Sequence, residues 1–322
     1  MKAAVFYQVG GPEVLRYEEF PEPALRPGGL LIDVKAIAIQ GGDTLHRQGG
    51  VLATTPHIVG YQAAGIIRQV GEGVTTFVAG QAVVATMGFG SHAEVISVPA
   101  SSAWAIPEGL DIELAAGVPI EFGTADDCLF EFGHLVAGET VLIQAGASGV
   151  GIAAIQLAKA AGAIVIATSS SDDRLQRLKD YGLDHGINYT KSDAAKEVMA
   201  YTNGRGANLV VDSVGGSTLE GSIAALAYRG RISWVGRAGR EVTPPEVWPI
   251  MQKNASITGV FLGIEMAFNP QRTHPLIGSL LQRIADQKLS VVLDNKFPLS
   301  QATEAHRYIE SRQAFGRVLL IP

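Results

Sequence analysis

At 322 residues the chain exceeds the usual size of one hydrophobic core, so two domains are expected. It is 47% apolar and 17% charged, the balance of a compact enzyme rather than a disordered chain, and a formal charge of −6 gives no electrostatic ground for a nucleic-acid or membrane partner. The opening MKAAVFYQVGGPEVL has no charged lead before an apolar run and so does not read as a signal peptide, and no run of about eighteen apolar residues is available to span a bilayer. The one cysteine, Cys128, excludes an internal disulfide and a clustered-cysteine zinc site, and a reducing, cytoplasmic setting is expected.

The first third carries short strand-like runs broken by glycine and proline: KAAVFYQV, LLIDVKAIAI, AAGIIRQV, AVVATM and AEVISV. Helical periodicity is nearly absent there, which predicts an irregular, mostly β domain. From about Gly138 strands and helices alternate. ETVLIQA reads as a strand, GVGIAAIQLAKAAG as a helix, AIVIAT as a strand and SDDRLQRLKDYG as a helix with a good N-cap. HGINY, a helix around SDAAKEVMAYT, the strand ANLVVDSV, a helix near STLEGSIAALAY and the strand RISWVG follow. Apolar strands spaced by helices predict a parallel sheet covered on both faces. The last stretch holds the helix HPLIGSLLQRIADQKL, a short strand and a final helix before RVLLIP, too little for a domain of its own. The expected division is 1–120, 121–262 and a segment 263–322 that returns to the first domain.

VLIQA runs directly into Gly146-Ala147-Ser148-Gly149-Val150-Gly151 and then a helix. Free N–H groups and the positive dipole end of a helix suit a pyrophosphate, so this strand–turn–helix is a candidate dinucleotide site. Gly146 is expected to permit the tight turn and Gly151 the close packing of helix on strand. Ser148 replaces the middle glycine of G-x-G-x-x-G, so position between strand and helix carries the reading rather than the pattern. A serine nucleophile elbow needs glycine where Val150 stands. At the end of the second strand, where NAD enzymes carry a ribose-binding carboxylate, stand Ser169-Ser170-Ser171 and then Arg174. Hydroxyls and a cation suit a 2′-phosphate, and NADPH is the expected cofactor. Asp172 and Asp173 stand close by, at a helix N-terminus that favours carboxylates in any case. Arg174 also has the plain reading of a solvated helix residue.

In order and content the segments RPGGLLIDVKAIAIQGGDTLHRQG, GYQAAGIIRQVGEGV, FVAGQAVVA, AAGVPIEFGTA, LIQAGASGVG, GINY, DSVGGS, GRISWVG and AFGRVLLIP resemble the medium-chain dehydrogenase/reductase superfamily, in its zinc-independent quinone oxidoreductase (zeta-crystallin-like) branch. The resemblance implies an α/β chain with a GroES-like catalytic domain, a Rossmann doubly wound sheet, and a homodimer, often formed through the cofactor domains. It also implies cofactor contacts at Thr124, Tyr189, Val214, Gly236, Phe261-Leu262-Gly263 and Arg317. Each of these has an ordinary alternative as a packing, turn or surface residue.

The superfamily's zinc alcohol dehydrogenases hold their metal with a cysteine and a histidine among other ligands. Here Gln40 stands at that cysteine position and Tyr61 and Gln62 at the His-Glu pair, while His46, His57, His92 and His134 show no ligand spacing, so no zinc is expected. Without a Lewis acid, hydride addition favours an acceptor that delocalises its own charge, such as a quinone or an α,β-unsaturated carbonyl. Gln40 and Tyr61 are the candidates for the hydrogen bond to the developing oxyanion; Gln40 serves equally as a holder of the nicotinamide or its ribose, and Tyr61 as a packing aromatic. Leu45 and Val51 stand where the quinone reductases often carry tyrosines, and Asp126 replaces the tyrosine of a Thr-Ala-Tyr motif, which turns the expectation toward an enone or enal. Two other readings stay open: a metal-free NADPH-dependent alcohol or ketone dehydrogenase, and a non-catalytic, crystallin-like NADPH-binding protein.

Overall fold

The computed structural model describes residues 1–242 and 244–322. In chain order it begins with β1 (Lys2–Phe6), β2 (Arg16–Glu19) and β3 (Gly29–Ala38). Helix α1 (Gly41–Gly49) follows at once, then β4 (His57–Ile58), β5 (Gln62–Val70), β6 (Ala82–Thr86), β7 (Val95–Pro99), β8 (Ala103–Ala105) and the short α2 (Ile112–Ala115). Helix α3 (Pro119–Asp126) runs into a π-turn at Asp127–Glu131. Next come β9 (Thr140–Ile143), α4 (Gly149–Ala160), β10 (Ile164–Ser169), α5 (Asp172–Leu178), β11 (His185–Asn188) and α6 (Ala194–Tyr201). Then β12 (Ala207–Asp212), α7 (Gly216–Ala225), β13 (Leu226–Trp234), α8 (Trp248–Gln252), β14 (Ser256–Gly259) and α9 (Leu262–Phe268) complete the alternation. The chain closes with α10 (Pro270–Ala285), β15 (Leu293–Pro298), α11 (Ala302–Glu310) and β16 (Arg317–Ile321).

Contacts divide the chain into two units, Met1–Ile120 with Pro275–Pro322, and Glu121–His274. Helix α9 and the start of α10 thus go with the second unit, although the sequence pattern set a boundary after 262.

In the first unit, β2-β1-β4 form a three-stranded antiparallel sheet. A seven-stranded sheet runs β15-β16-β3-β5-β6-β8, with β7 also paired to β3. The last strand joins this sheet by antiparallel pairing of Leu319 with Ala38 and Leu320 with Ile37. Phe6, Leu30, Ile32, Ile37, Val83 and Leu320 belong to one buried apolar cluster. Helix α1 stands in a region where the apolar pattern shows no helical period. Its start is secured locally instead: the Gln40 N–H donates to Asp43 Oδ2 at 2.7 Å, satisfying a donor that a helix start leaves free.

The second unit is a six-stranded parallel sheet in the order β11-β10-β9-β12-β13-β14, the strand order of a Rossmann fold. Its core includes Leu142, Ile166, Val210, Leu219, Ile223 and Ile232. The order reverses between β9 and β12, and the crevice beyond the carboxyl ends at such a point is where open α/β sheets take ligands. One boundary differs from the pattern. The apolar run STLEGSIAALAY suggests helix through Tyr228, but α7 stops at Ala225 and Leu226 pairs with Ala207. Lys253 Nζ donates to the carbonyls of Ile223, Ala224 and Leu226 at 3.1, 2.6 and 2.7 Å, so a distant side chain caps the helix end.

Candidate functional site

The turn from β9 into α4 is built by close approach. A Cβ added at Gly151 would lie 2.5 Å from the Ala145 carbonyl oxygen, and one added at Gly146 would lie 2.7 Å from Ala167 Cβ on β10. The left-handed residue is Ala145, with φ 53°. The expectation that Gly146 supplies the turn's conformational freedom is therefore corrected: Gly146 is there for space, and the unusual dihedral falls one residue earlier. Ser148, in the place of the middle glycine, is the N-cap of α4 and accepts the Gly151 N–H at 3.0 Å. Gly149 and Val150 are the first two residues of the helix, and Ala147 is nearly buried in the turn.

Side chains beyond those expected hold this turn. The Ala145 N–H donates to Thr168 Oγ1 at 3.2 Å, and the Thr168 hydroxyl donates to Gln144 Oε1 at 2.7 Å. Gln144 Nε2 then donates to Ser222 Oγ at 3.0 Å, and Ser222 donates to Asp212 Oδ2 at 2.7 Å. The other oxygen of Asp212 accepts the Val214 and Gly215 N–H groups at 2.8 and 2.9 Å. All four side chains are buried. The network joins the ends of β10, β9 and β12, with every donor pointing toward one carboxylate. A sequence signal was present: a polar residue at or just past the end of each of three apolar strands.

At the end of β10, Ser170 Oγ accepts from Arg174 Nη2 at 2.6 Å, and Ser171 caps α5. The Tyr189 N–H donates to the Ser169 carbonyl at 3.1 Å, and its ring is exposed. Ser169, Ser170, Arg174 and Tyr189 are thus brought together. Asp172 is turned aside toward Lys191 and toward Asn188 Nδ2, the latter at 2.7 Å, and these two partners hold its carboxyl below the ordinary carboxylate range.

Val214 and Gly236 lie on adjoining loops, since Ala238 and Gly239 donate to the Ser213 and Val214 carbonyls at 3.0 and 2.9 Å. The Val260 N–H donates to the Trp234 carbonyl at 2.9 Å, which sets Phe261-Leu262-Gly263 beyond the neighbouring strand end. Phe261 is 68% exposed and Leu262 buried, while Gly263 backs onto the Phe261 ring. Thr124 is buried on α3. Beyond α3, Arg272 Nη2 lies 2.8 Å from Asp127 Oδ1 and 3.0 Å from Glu265 Oε2, tying the π-turn to α9. Burial outweighs this cation and pushes the Asp127 carboxyl up to about 6.

The remaining candidates belong to the first unit. Gln40 is buried at the start of α1, with Nε2 3.4 Å from the Ala38 carbonyl that accepts it. The Tyr61 ring packs on the first turn of the same helix: a Cβ at Gly42 would lie 2.5 Å from Tyr61 Oη. Gln62 is fully buried, donating to the Ala116 carbonyl and accepting the Ile120 N–H at 2.7 Å. Arg317 is buried and donates to the Ile39 carbonyl, one residue before Gln40. His46 stacks on His57 with centroids 5.0 Å apart, His92 meets His306, and His134 is exposed. Among the described residues no group of three or more His, Cys, Asp or Glu is arranged to hold a metal ion. Burial pushes the Cys128 thiol far up, out of the range of a nucleophilic thiolate.

Residues 26–108 match the family model of the alcohol dehydrogenase GroES-like domain, and residues 149–282 match that of zinc-binding dehydrogenases. A quinone oxidoreductase of Pseudomonas aeruginosa is 31% identical, covering 100% of this chain and 99% of that protein. A 2-haloacrylate reductase of a Burkholderia species is 29% identical, covering 99% and 98%. The structure of Escherichia coli quinone oxidoreductase complexed with NADPH superposes with a TM-score of 0.95 at 31% identity, covering 100% of both chains. The chain belongs to the medium-chain dehydrogenase/reductase superfamily, a family of oxidoreductases, with quinone oxidoreductases among its similar members.

The Asp127 environment yields a pH prediction. Folding raises its carboxyl from 3.8 to about 6, so its contribution to stability is fully present below 3.8 and lost as pH rises through 6. Asp127→Asn is expected to flatten the wild-type fall in stability over that interval. Urea denaturation midpoints measured every half pH unit check this; parallel profiles for the two proteins contradict it.

Proposed function

We propose that the protein is an NADPH-dependent, zinc-independent reductase that transfers hydride to a quinone or an α,β-unsaturated carbonyl. The observation that carries this reading is the donor set that stands at the metal-ligand positions of the zinc enzymes. Those positions hold Gln40, Tyr61 and Gln62, and Gln62 is already spent on the backbone at Ala116 and Ile120. An amide and a neutral phenol are poor zinc ligands and good hydrogen-bond donors.

The turn at Gly146–Gly151 fits a dinucleotide, because the missing Cβ atoms keep strand and helix close while the Gly149 and Val150 N–H groups at the start of α4 face the turn, where a pyrophosphate would sit. Ser169, Ser170, Arg174 and Tyr189 would hold the adenosine end with its 2′-phosphate, with Asp172 diverted to Lys191 and Asn188. Val214, Gly236, Phe261, Leu262, Gly263 and Thr124 are assigned to the nicotinamide half. Arg317 stays a candidate cofactor contact, and its guanidinium also donates to the Ile39 carbonyl, beside Gln40. The similar Escherichia coli enzyme, whose structure contains NADPH, supports the cofactor assignment.

Bound NADPH supplies the hydride. Gln40 and Tyr61 donate hydrogen bonds to the acceptor oxygen as negative charge grows on it, and the Tyr61 hydroxyl or solvent delivers the proton. A conjugated acceptor spreads that charge itself, so two neutral donors suffice where a saturated ketone would call for a Lewis acid.

A homodimer through the second unit is part of the proposal. Strand β14 is an edge strand, and Ile257 on it, Trp248 and Met251 before it and Ile264 and Phe268 after it are exposed, Phe268 by 84%. An open strand edge beside large apolar side chains is what a second copy covers. No helix is long and apolar enough to cross a membrane among the described residues, and a cytoplasmic location is proposed with the single buried thiol of Cys128 in support.

Three outcomes are expected. The chelator-treated protein should oxidise NADPH with quinones, enones or enals and not with saturated ketones, and Gln40→Ala or Tyr61→Phe should slow turnover about tenfold or more; activity only with saturated ketones, or only after zinc is added, overturns the mechanism. Arg174→Ala should weaken NADPH about 10–100-fold, the loss of a charge-assisted hydrogen bond, with NADH affinity unchanged; equal losses for both cofactors, by isothermal titration, remove the 2′-phosphate assignment. Light scattering should give a dimer for the parent and a monomer for the double variant Ile257→Lys/Phe268→Glu, whereas a monomeric parent ends the dimer proposal.

A further inference from the structure

We propose that His92, His306, Arg47 and Glu310 form a buried positioning relay that fixes Tyr61 and Gln40 relative to one another. The inference rests on the functional reading above, and it concerns groups within the first unit alone.

His92, between β6 and β7, and His306, on α11, are both fully buried, with their Nε2 atoms 3.0 Å apart and their rings edge to face at 73°. Burial drives His92 down to about 3 and holds His306 well below its ordinary range, with the nearby Arg47 cation acting in the same direction on His306. Both rings are neutral. One donates its Nε2 hydrogen to the lone pair of the other, an arrangement with a fixed direction and a fixed length. Four positions along α11 from His306, Glu310, the last residue of that helix, forms an ion pair with Arg47 of α1, which is 0% exposed. Helix α1 is thereby anchored to α11, and α11 to His92.

The His92 end reaches Tyr61. Ser91 and His92 donate from their backbones to the Gly60 and Val59 carbonyls at 2.9 and 3.1 Å. The His92 ring and the Ser91 hydroxyl fill the space over the Gly60 Cα, where φ is 99° and any Cβ would overlap both. Gly60 directly precedes Tyr61, whose hydroxyl lies on Gly42 in the first turn of α1, two residues past Gln40. The path closes on itself: Tyr61 to α1, α1 through Arg47 to Glu310, α11 through His306 to His92, and His92 through Gly60 back to Tyr61. Burying two imidazoles and an ion pair costs more than burying apolar side chains of equal volume. What the polar groups add is direction, and the contacts named above bear on the segments that present Gln40 and Tyr61.

The test uses the full chain. His306→Ala is expected to lower kcat at least tenfold with a naphthoquinone or conjugated enal while NADPH Kd stays within threefold. His306→Gln, whose amide again bonds to His92 Nε2, should return kcat to within threefold of the parent. In a Gln40→Ala/Tyr61→Phe background His306→Ala should cost less than a further threefold, because it acts through the two groups already removed. Hydrogen exchange provides a readout that needs no acceptor: protection of amides 40–44 and 59–62 should fall tenfold in His306→Ala, with β9, β10 and β12 unchanged. Undiminished kcat and protection, or a full tenfold loss in the Gln40→Ala/Tyr61→Phe background, overturn the relay. Should His306→Ala fail to fold, Glu310→Gln takes its place, with a threefold or larger loss of kcat and the same exchange signature expected, and no change in either overturning the proposal. Full activity of Gln40→Ala and Tyr61→Phe defeats the functional reading itself; loss there with an unaffected His306→Ala defeats the relay alone.

Discussion

The run of hydrogen bonds from the Ala145 amide through Thr168, Gln144 and Ser222 to the Asp212 carboxylate is the constraint on which the second unit's site depends. Parallel strands covered on both faces are apolar along their length, and their polar demands gather at their carboxyl ends. There, buried donors and acceptors must find partners, because each one left unmade costs on the order of 1–3 kcal/mol. The chain meets this demand with one side chain from each of three neighbouring strand ends and one from α7. In doing so it fixes Ala145, whose left-handed backbone turns the chain into the glycine segment, and Val214, which follows Asp212. The carboxylate that terminates the network is shared among a hydroxyl and two backbone N–H groups, so the same bonds that satisfy it also set the two loops flanking the crevice.

The first unit solves a related problem with different groups. Its sheets are mostly antiparallel, and the polar burial collects around α1 rather than at aligned strand ends. Arg317 holds Ile39, Asp43 caps Gln40, Gln62 reaches the backbone at Ala116 and Ile120, and Arg47 meets Glu310. Each of these is a long-range or helix-start contact that orders a few residues around positions 39–62. In both units the side chains assigned to chemistry are few, and those that place them are buried, polar and drawn from several elements. Loss of one supporting group leaves its partner unsatisfied, which is why such networks tend to act as units.

Much of this was legible in the amino-acid order. The alternation of apolar strands and helices after Gly138 defines a parallel sheet, and the strand–glycine–helix junction at 146–151 marks the candidate dinucleotide site. Both follow from local rules: side-chain period, capping and the steric freedom of glycine. The placement of serines and Arg174 after the second strand was legible as well, whereas the residue types at the zinc-ligand positions 40, 61 and 62 could be read only through the resemblance to the superfamily. Other features were not. Helix α1 has no apolar period and is defined by a cap; α7 ends where Lys253, 28 positions beyond Ala225, takes its last carbonyls. The role of Gly146 was misassigned because only the packed neighbour Ala167 shows that volume, rather than dihedral angle, is what the position requires.

Composition and spacing, then, determined the alternating β and α pattern, the glycine turn and the serine–Arg174 cluster, because these are written in periodicities of two and 3.6 residues and in which functional groups are present at all, while the other candidates rest on the resemblance to the superfamily. Tertiary structure alone decided which polar residues meet. Ser222 with Asp212, Arg47 with Glu310, His92 with His306 and Asp172 with Lys191 are separated by 10 to 263 positions, and no local pattern encodes pairing over such distances. The physical reason is that a buried polar group is indifferent to sequence separation: it requires only a partner of the right sign within about 3 Å, and the packed backbone determines who that partner is.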